Sequence, residues 1–383
     1  LRSMGSTGDI NGGLDKITLS GDINQVIGGS DKDIISVTTA SSTDHILGDN
    51  GEMNYSGAIG AEQLTNLQSN LNQAGGDDII TLGSGDKVVI AGKGSDTVQT
   101  SLNSIGSRIV LGDEGQLDYD GNNILKSAKS TSTEGGDDII NLGGASSNNT
   151  NIVIGGVGIL DTVLINVEED ELGNYTLTNF SSTDIVLGDN GAIQWTGGLL
   201  NSISSTDATF GGTDKITLGN GNKTIIAGTG SDIINIGAGN NDILGDTGSF
   251  NYAAGTFTAD ANGSGDDVIN LGNGDNRILA GDGSDSISLG AGNNDILGDT
   301  GSFNYAAGIF TADANGSGDD IITLADGNNL IFGGDGSDII NIGAGNNDIL
   351  GDTGSFNYAT GTFIADEVGN GNDVITTGNG EQR

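Results

Sequence analysis

Cysteine and proline are absent from this chain of 383 residues, and histidine occurs once, at His45. Without Cys there is no disulfide framework, no thiolate nucleophile and no Cys-ligated zinc or iron-sulfur centre. A single His argues against a His-built metal site and against a catalytic triad. Cations are scarce too, with 12 Lys and Arg against 52 Asp and Glu and a formal charge of -40. Such a surface repels nucleic acid and anionic lipid, whose phosphates need clustered Lys and Arg, and its small partners are cations. Hydrophobic residues reach only 34% and aromatics 4%, too little for the thick core of one compact globule. There is no apolar run long enough to span a membrane, no signal peptide and no initiator Met. The chain reads as a piece of something longer.

Low hydrophobicity with high charge is the composition of disorder. The apolar residues argue otherwise, because they are mostly Ile, Leu and Val in short, regularly spaced clusters, the pattern of strands. Glycine, at 70 residues, supplies the turns between them. The clusters repeat: Gly245-Asp246-Thr247-Gly248-Ser249-Phe250 recurs at 298–303 and 351–356, and residues 245–297 match 298–350 at 41 of 53 positions. Looser Leu-Gly-Asp-x-Gly markers begin at Leu47, Leu111 and Leu187. These divide the chain into approximate units 1–47, 48–111, 112–187, 188–244, 245–297, 298–350 and 351–383, forming one continuous array. Inside a unit the period is nine, as in Gly265, Gly274, Gly283, Gly292 and Gly301 with Ile269, Ile278, Ile287 and Ile296.

The segment Gly333-Gly334-Asp335-Gly336-Ser337-Asp338-Ile339-Ile340-Asn341 fits the nonapeptide Gly-Gly-x-Gly-x-Asp-x-apolar-x. Residues 91–99, 227–235 and 280–288 fit with only the first Gly replaced. On these motifs, more than a dozen in register, the chain resembles the RTX (repeats-in-toxin, hemolysin-type) proteins over most of its length. The resemblance implies an all-β fold, a right-handed parallel β-roll or β-solenoid. In it a six-residue turn alternates with a three-residue strand whose central apolar side chain points inward. It also implies calcium ions between successive turns, held by Asp carboxylates and turn carbonyls, hard oxygen ligands that suit this ion.

Alternate nonapeptides fall on opposite edges of such a roll, and their sixth positions differ. On the first edge they are Asp15, Asp33, Asp78, Asp96, Asp138, Asp161, Asp214, Asp232, Asp267, Asp285, Asp320, Asp338 and Asp373. On the second they are Asn24, Asp44, Lys87, Arg108, Asp184, Lys223, Asn241, Asn276, Asn294, Asn329 and Asn347. Lys and Arg cannot ligate a cation. The expectation is a calcium column on the first edge and metal-free or Asn-ladder turns on the second, with Asp161 in the least regular register.

At each marker the roll is interrupted. Residues 249–252 and 256–259 alternate as strands around the loop Ala253-Ala254-Gly255, a β-hairpin signature. The earlier inserts, 51–74, 115–134 and 191–210, vary in sequence. A lateral brace of Phe and Tyr against the roll is favoured over a binding face. The marker carboxylates Asp49, Asp113, Asp189, Asp246, Asp299 and Asp352 are secondary metal candidates or turn-shaping residues. Trp195 and His45 read as insert residues, and residues 168–171 as a solvated acidic run.

No catalytic constellation is present, so the chain is expected not to be an enzyme. The expected function is a calcium-folded extracellular structural or adhesive array: a stalk, fibre or surface-layer segment on a bacterial surface, secreted unfolded by a type I route. Expected partners are calcium, further copies of the chain, and a cell-surface or glycan ligand, with no nucleic acid and no membrane span. The alternatives are a non-catalytic secretion and folding tail of an enzyme or toxin, and a glycan- or ice-binding strand face using outward residues such as Asn270 and Thr323.

Overall fold

The computed structural model describes residues 3–5, 12–38, 41–58, 62–71, 73–144, 149–169, 174–260 and 263–366, and 371–383. Among them every regular element is a strand. Two long sheets are wholly parallel. A 13-stranded front sheet runs from Lys16–Leu19 to Val374–Thr377, and a 12-stranded middle sheet runs from Ile23–Ile27 to Asp348–Leu350. The chain alternates between them, strand by strand, as expected of a solenoid whose coil is two nonapeptides. Pairing is in register: Ile339↔Val374 and Ile340↔Ile375 in the front sheet, Ile296↔Ile331 and Leu297↔Phe332 in the middle one. Hydrogen bonds therefore join each coil to the next, and a coil that buries little alone is stabilised by stacking.

The expected geometry of one inward side chain per strand is corrected by the structure. Front strands have four residues, and most bury two of them, as with Ile340 and Ile342 in Ile339–Ile342, or Ile216 and Leu218 in Lys215–Leu218. Middle strands are buried on both faces: Ile243 joins the core between front and middle sheets, while its neighbour Leu244 joins a second core on the opposite side. Strands that read Ile-Leu rather than apolar-polar are those covered on both sides.

The second core is closed by the inserts. They form hairpins, Gly248–Asn251 with Thr256–Ala259 for example, within a residue of the sequence expectation. The hairpins do not stand singly. Each pairs with the next, so that Leu67↔Leu117, Ala128↔Ile193, Ile203↔Phe250 and Phe257↔Phe303 continue one antiparallel sheet of 13 strands. Ser3–Gly5, placed in the roll by the sequence units, is its first strand, through Met4↔Met53. One row of this lateral sheet faces inward throughout, from Met53, Leu67 and Leu117 to Phe250, Phe303 and Phe356. The molecule thus has three layers, front, middle and lateral. Phe303 packs on Phe310 with centroids 4.7 Å apart, and Tyr305 and Tyr358 close edge-on over Phe310 at 4.9 Å each.

His45 lies in the middle strand Thr43–Leu47, not in an insert, and its Nδ1 sits 3.2 Å from the Tyr55 hydroxyl. Burial holds its pKa down at about 4. Trp195 is on a hairpin, half-buried against the second core. Glu168 and Glu169 are exposed on a two-stranded excursion with Tyr175–Leu177; Asp170 and Glu171 lie outside the described residues. No helix among the described residues is long and apolar enough to cross a membrane.

Candidate functional site: a file of buried carboxylates

Each first-edge Asp immediately precedes a front strand, so in-register pairing of that sheet stacks the thirteen in one file. Asp161 takes its place between Asp138 and Asp214 despite the irregular sequence around it. The file is tied by its own backbone. In twelve consecutive steps, the N–H of one Asp donates to Oδ1 of the Asp on the next coil, at 2.6–3.1 Å from Asp15→Asp33 through Asp338→Asp373. Asp15 is exposed and Asp373 half-buried, and the eleven between them are buried.

In all eleven, the second carboxylate oxygen, Oδ2, is buried without a hydrogen-bond partner. These oxygens are not scattered. At Gly28, Gly48, Gly188, Gly245, Gly298 and Gly333, a Cβ would collide at once with an Oδ2 of the file and with a main-chain carbonyl oxygen of a neighbouring coil. The pairs are Asp267 Oδ2 with Ala280 O at Gly245, and Asp320 Oδ2 with Gly333 O at Gly298, for instance. The glycine of the marker is therefore a packing requirement. At these six positions only a residue lacking Cβ lets the two oxygens converge, whereas Ala91, Ala227 and Ala280 take the equivalent place in other coils.

Burial is the largest cause of raised carboxyl pKa values along the file, with neighbouring carboxylates adding to it. Asp78, Asp161 and Asp285 are pushed up to about 7 and Asp320 to about 10, while Asp96, Asp138, Asp214, Asp232 and Asp267 rise well above the usual carboxylate range. Strand spacing sets neighbouring carboxylates about 4.8 Å apart. At an effective dielectric constant of about 20, each ionised pair repels by about 3 kcal/mol. Protonation or a nearby cation would relieve that repulsion.

The marker carboxylates do a different job. Oδ2 of Asp49, Asp189, Asp246 and Asp299 accepts the backbone N–H of Lys93, Thr229, Asp282 and Asp335 at 2.5–2.6 Å, and that of Asp113 accepts Val157 N–H at 2.5 Å. Asp49 and Asp189 also accept, through Oδ1, the N–H of Gly76 and Gly212 where the hairpin returns to the roll, at 3.2 Å each. They staple insert to coil, which favours the turn-shaping reading. Oδ1 of Asp113, Asp246, Asp299 and Asp352 nevertheless stays buried and unpartnered.

The second edge holds no carboxylate file. Asn241, Asn276, Asn294, Asn329 and Asn347 form an amide ladder, each Nδ2 donating to the next Oδ1 at 2.8–2.9 Å. Lys87 closes on Asp44 at 3.0 Å and Lys223 on Asp184 at 2.6 Å, all four side chains fully buried. The sequence reading missed one rung, Asn151, whose Nδ2 donates to Asp184 Oδ1 at 2.7 Å. Its strand, Thr150–Gly156, follows no Gly-x-Gly turn, so the nonapeptide frame gave no signal there.

For a divalent cation, the described residues bring together no group of three or more His, Cys, Asp or Glu side chains. Any ion on the first edge therefore takes file carboxylates together with main-chain carbonyls, and the paired oxygens at the glycines have that donor chemistry. Comparisons with protein-family models, with curated proteins and with solved structures return no match.

Proposed function

We propose that the chain is a calcium-loaded β-roll of the RTX kind, right-handed as nearly all parallel crossovers are, serving as a stiff extracellular segment of a bacterial surface or secreted protein. One observation carries the reading: an unbroken file of buried carboxylates, each with one oxygen spent on the backbone and the other unpartnered, in most of them beside a main-chain carbonyl. Asp33, Asp78, Asp96, Asp138, Asp161, Asp214, Asp232, Asp267, Asp285, Asp320 and Asp338 would hold the ions, with Asp15 and Asp373 continuing the series. Asp113, Asp246, Asp299 and Asp352 each keep one oxygen for a secondary role.

Bound calcium supplies positive charge and accepts the oxygen lone pairs that no donor meets. The protein's own residues do the rest. The N–H ladder fixes the carboxylates, the glycines admit the carbonyls, and two apolar cores exclude water. Without a cation at neutral pH the file repels itself, and the thin core does not offset chain entropy. Metal affinity and folding free energy then become one quantity. Such a chain would stay unfolded where calcium is low and fold where it is millimolar, which suits secretion followed by folding outside. Paired stacking along one axis suits a stalk or fibre. The outward row of the front sheet mixes Asn235, Asn270, Ser288, Thr323 and Asn341, which favours a structural face over an ordered ligand lattice.

Far-UV circular dichroism during a calcium titration tests the proposal, with magnesium and chelator as controls. The expected result is a calcium-specific coil-to-β transition. A chain equally β-rich in chelator at pH 8 would refute it.

A further inference from the structure

The second edge contains one charge that its neighbours leave unanswered. Arg108 opens the middle strand Arg108–Leu111 and is 0% exposed. Its Nε, Nη1 and Nη2 are all buried and meet no acceptor among the described residues. The other cations of this edge are fully engaged. Lys87 Nζ reaches Asp44, the Ser42 hydroxyl and the carbonyls of Ser42 and Ser84. Lys223 Nζ reaches Asp184, the Ser182 hydroxyl and the carbonyls of Ser182 and Asn220.

The difference lies in the preceding coil. Lys87 pairs with Asp44, and Lys223 with Asp184, in strands led by Ser42 and Ser182. Arg108 pairs instead with Lys87, and Gly85 stands where those serines stand. Where its counterparts contact a carboxylate and a hydroxyl, Arg108 faces a like charge and a glycine, and the preceding coil's carboxylate, Asp86, spends Oδ1 on Ser107 N–H without bonding the guanidinium. The next coil does not compensate. Its rung Asn151 spends Nδ2 on Asp184, whose other oxygen is taken by Lys223 and Ser182. Asp86 and Asp184 attract the guanidinium, yet neither hydrogen-bonds to it; Arg remains charged in proteins, and a buried charge without a contacting counter-charge is costly. A water could satisfy hydrogen bonds here, including the unpartnered Asn151 Oδ1, but it would leave the charge.

We propose that the turn interior beside Arg108 is a binding site for a small monovalent anion of halide type, which accepts from the guanidinium and neutralises it. The site is independent of the first-edge file and does not rest on the calcium reading.

The test holds calcium constant and varies the anion. Replacing sodium gluconate by sodium bromide at equal sodium should raise the thermal midpoint of the chain by about 2–4 °C. R108N, which supplies the amide found at Asn241 and Asn276, should not respond. Crystals grown with bromide as the sole halide should show anomalous density against the guanidinium, a readout that stands even if R108N fails to fold. Water density without anomalous signal, with a midpoint indifferent to bromide against gluconate, would overturn the site.

Discussion

Replacing one file carboxylate by its amide should change stability in opposite directions with and without calcium. Asp285 is a clean position: it is 2% exposed, its Oδ1 accepts Asp267 N–H at 2.8 Å, and its Oδ2 has no partner. In D285N the amide oxygen keeps that bond, as Asn294 does for Asn276 N–H at 3.1 Å on the second edge. The amide nitrogen gains a neighbouring acceptor in Asp320 Oδ1, already used by Asp285 N–H. Burial is the main cause that raises the Asp285 pKa from 3.8 to about 7. Keeping the group ionised above that pH therefore costs about 4 kcal/mol, at 1.36 kcal/mol per pH unit. In chelator at pH 8, D285N should be stabilised by up to this amount, read as a higher urea midpoint or a larger folded fraction. In millimolar calcium the sign reverses, and the variant should need more calcium for half-folding than wild type. A variant destabilised equally in both conditions would refute the idea that the file carries uncompensated charge.

Further outcomes follow from other parts of the fold. In the absence of metal the chain should gain β structure on acidification: the file carboxyls have folded pKa values above their unfolded value, so their stability is full below about pH 4. It is lost as pH rises through about 7, the folded value for Asp78, Asp161 and Asp285, and circular dichroism in chelator from pH 8 to 3 reads it. Phe310→Ala removes a fully buried ring from the lateral sheet and should cost about 3–5 kcal/mol, with hydrogen exchange rising first in residues 301–312 and 354–357. Lys223→Met leaves Asp184 charged and buried without its partner and should cost about 3–5 kcal/mol; the double variant with Asp184→Asn should recover much of that loss, as a double-mutant cycle on thermal midpoints would show.

Both edges of the roll were readable because an in-register solenoid converts a sequence period into a spatial file. Asp at every sixth position needed no tertiary information to be placed beside the next Asp. Asn151 escaped because its strand enters the ladder without the glycine turn that defines the frame. The hairpins were readable from their alternation around Gly255, but their union into one sheet was not. Pairs such as Leu67↔Leu117 and Ile203↔Phe250 lie far apart in sequence, and only the stacking of alternate coils brings them edge to edge. The partner of Leu244 and its equivalents was hidden for the same reason. Adjacent Ile and Leu state that a strand is covered on both faces, without saying by what. The unanswered charge at Arg108 emerges only when the contents of three successive coils are compared.

The direction of the hydrogen bonds has a mechanical consequence. In all three long sheets the strands lie across the stacking axis, so their ladders run along it. Tension applied along that axis pulls each ladder open bond by bond instead of shearing it as a block. The parallel sheets alone would surrender one coil at a time. The lateral sheet changes the step, because one hairpin serves two coils and is itself paired to its neighbours. The unit of release becomes the whole 53-residue repeat seen at 245–297, which pays out roughly 180 Å of chain at about 3.4 Å per residue in exchange for two strand spacings of about 4.8 Å. A tether built this way would yield repeat by repeat, lengthening stepwise under load while the remaining repeats stay folded.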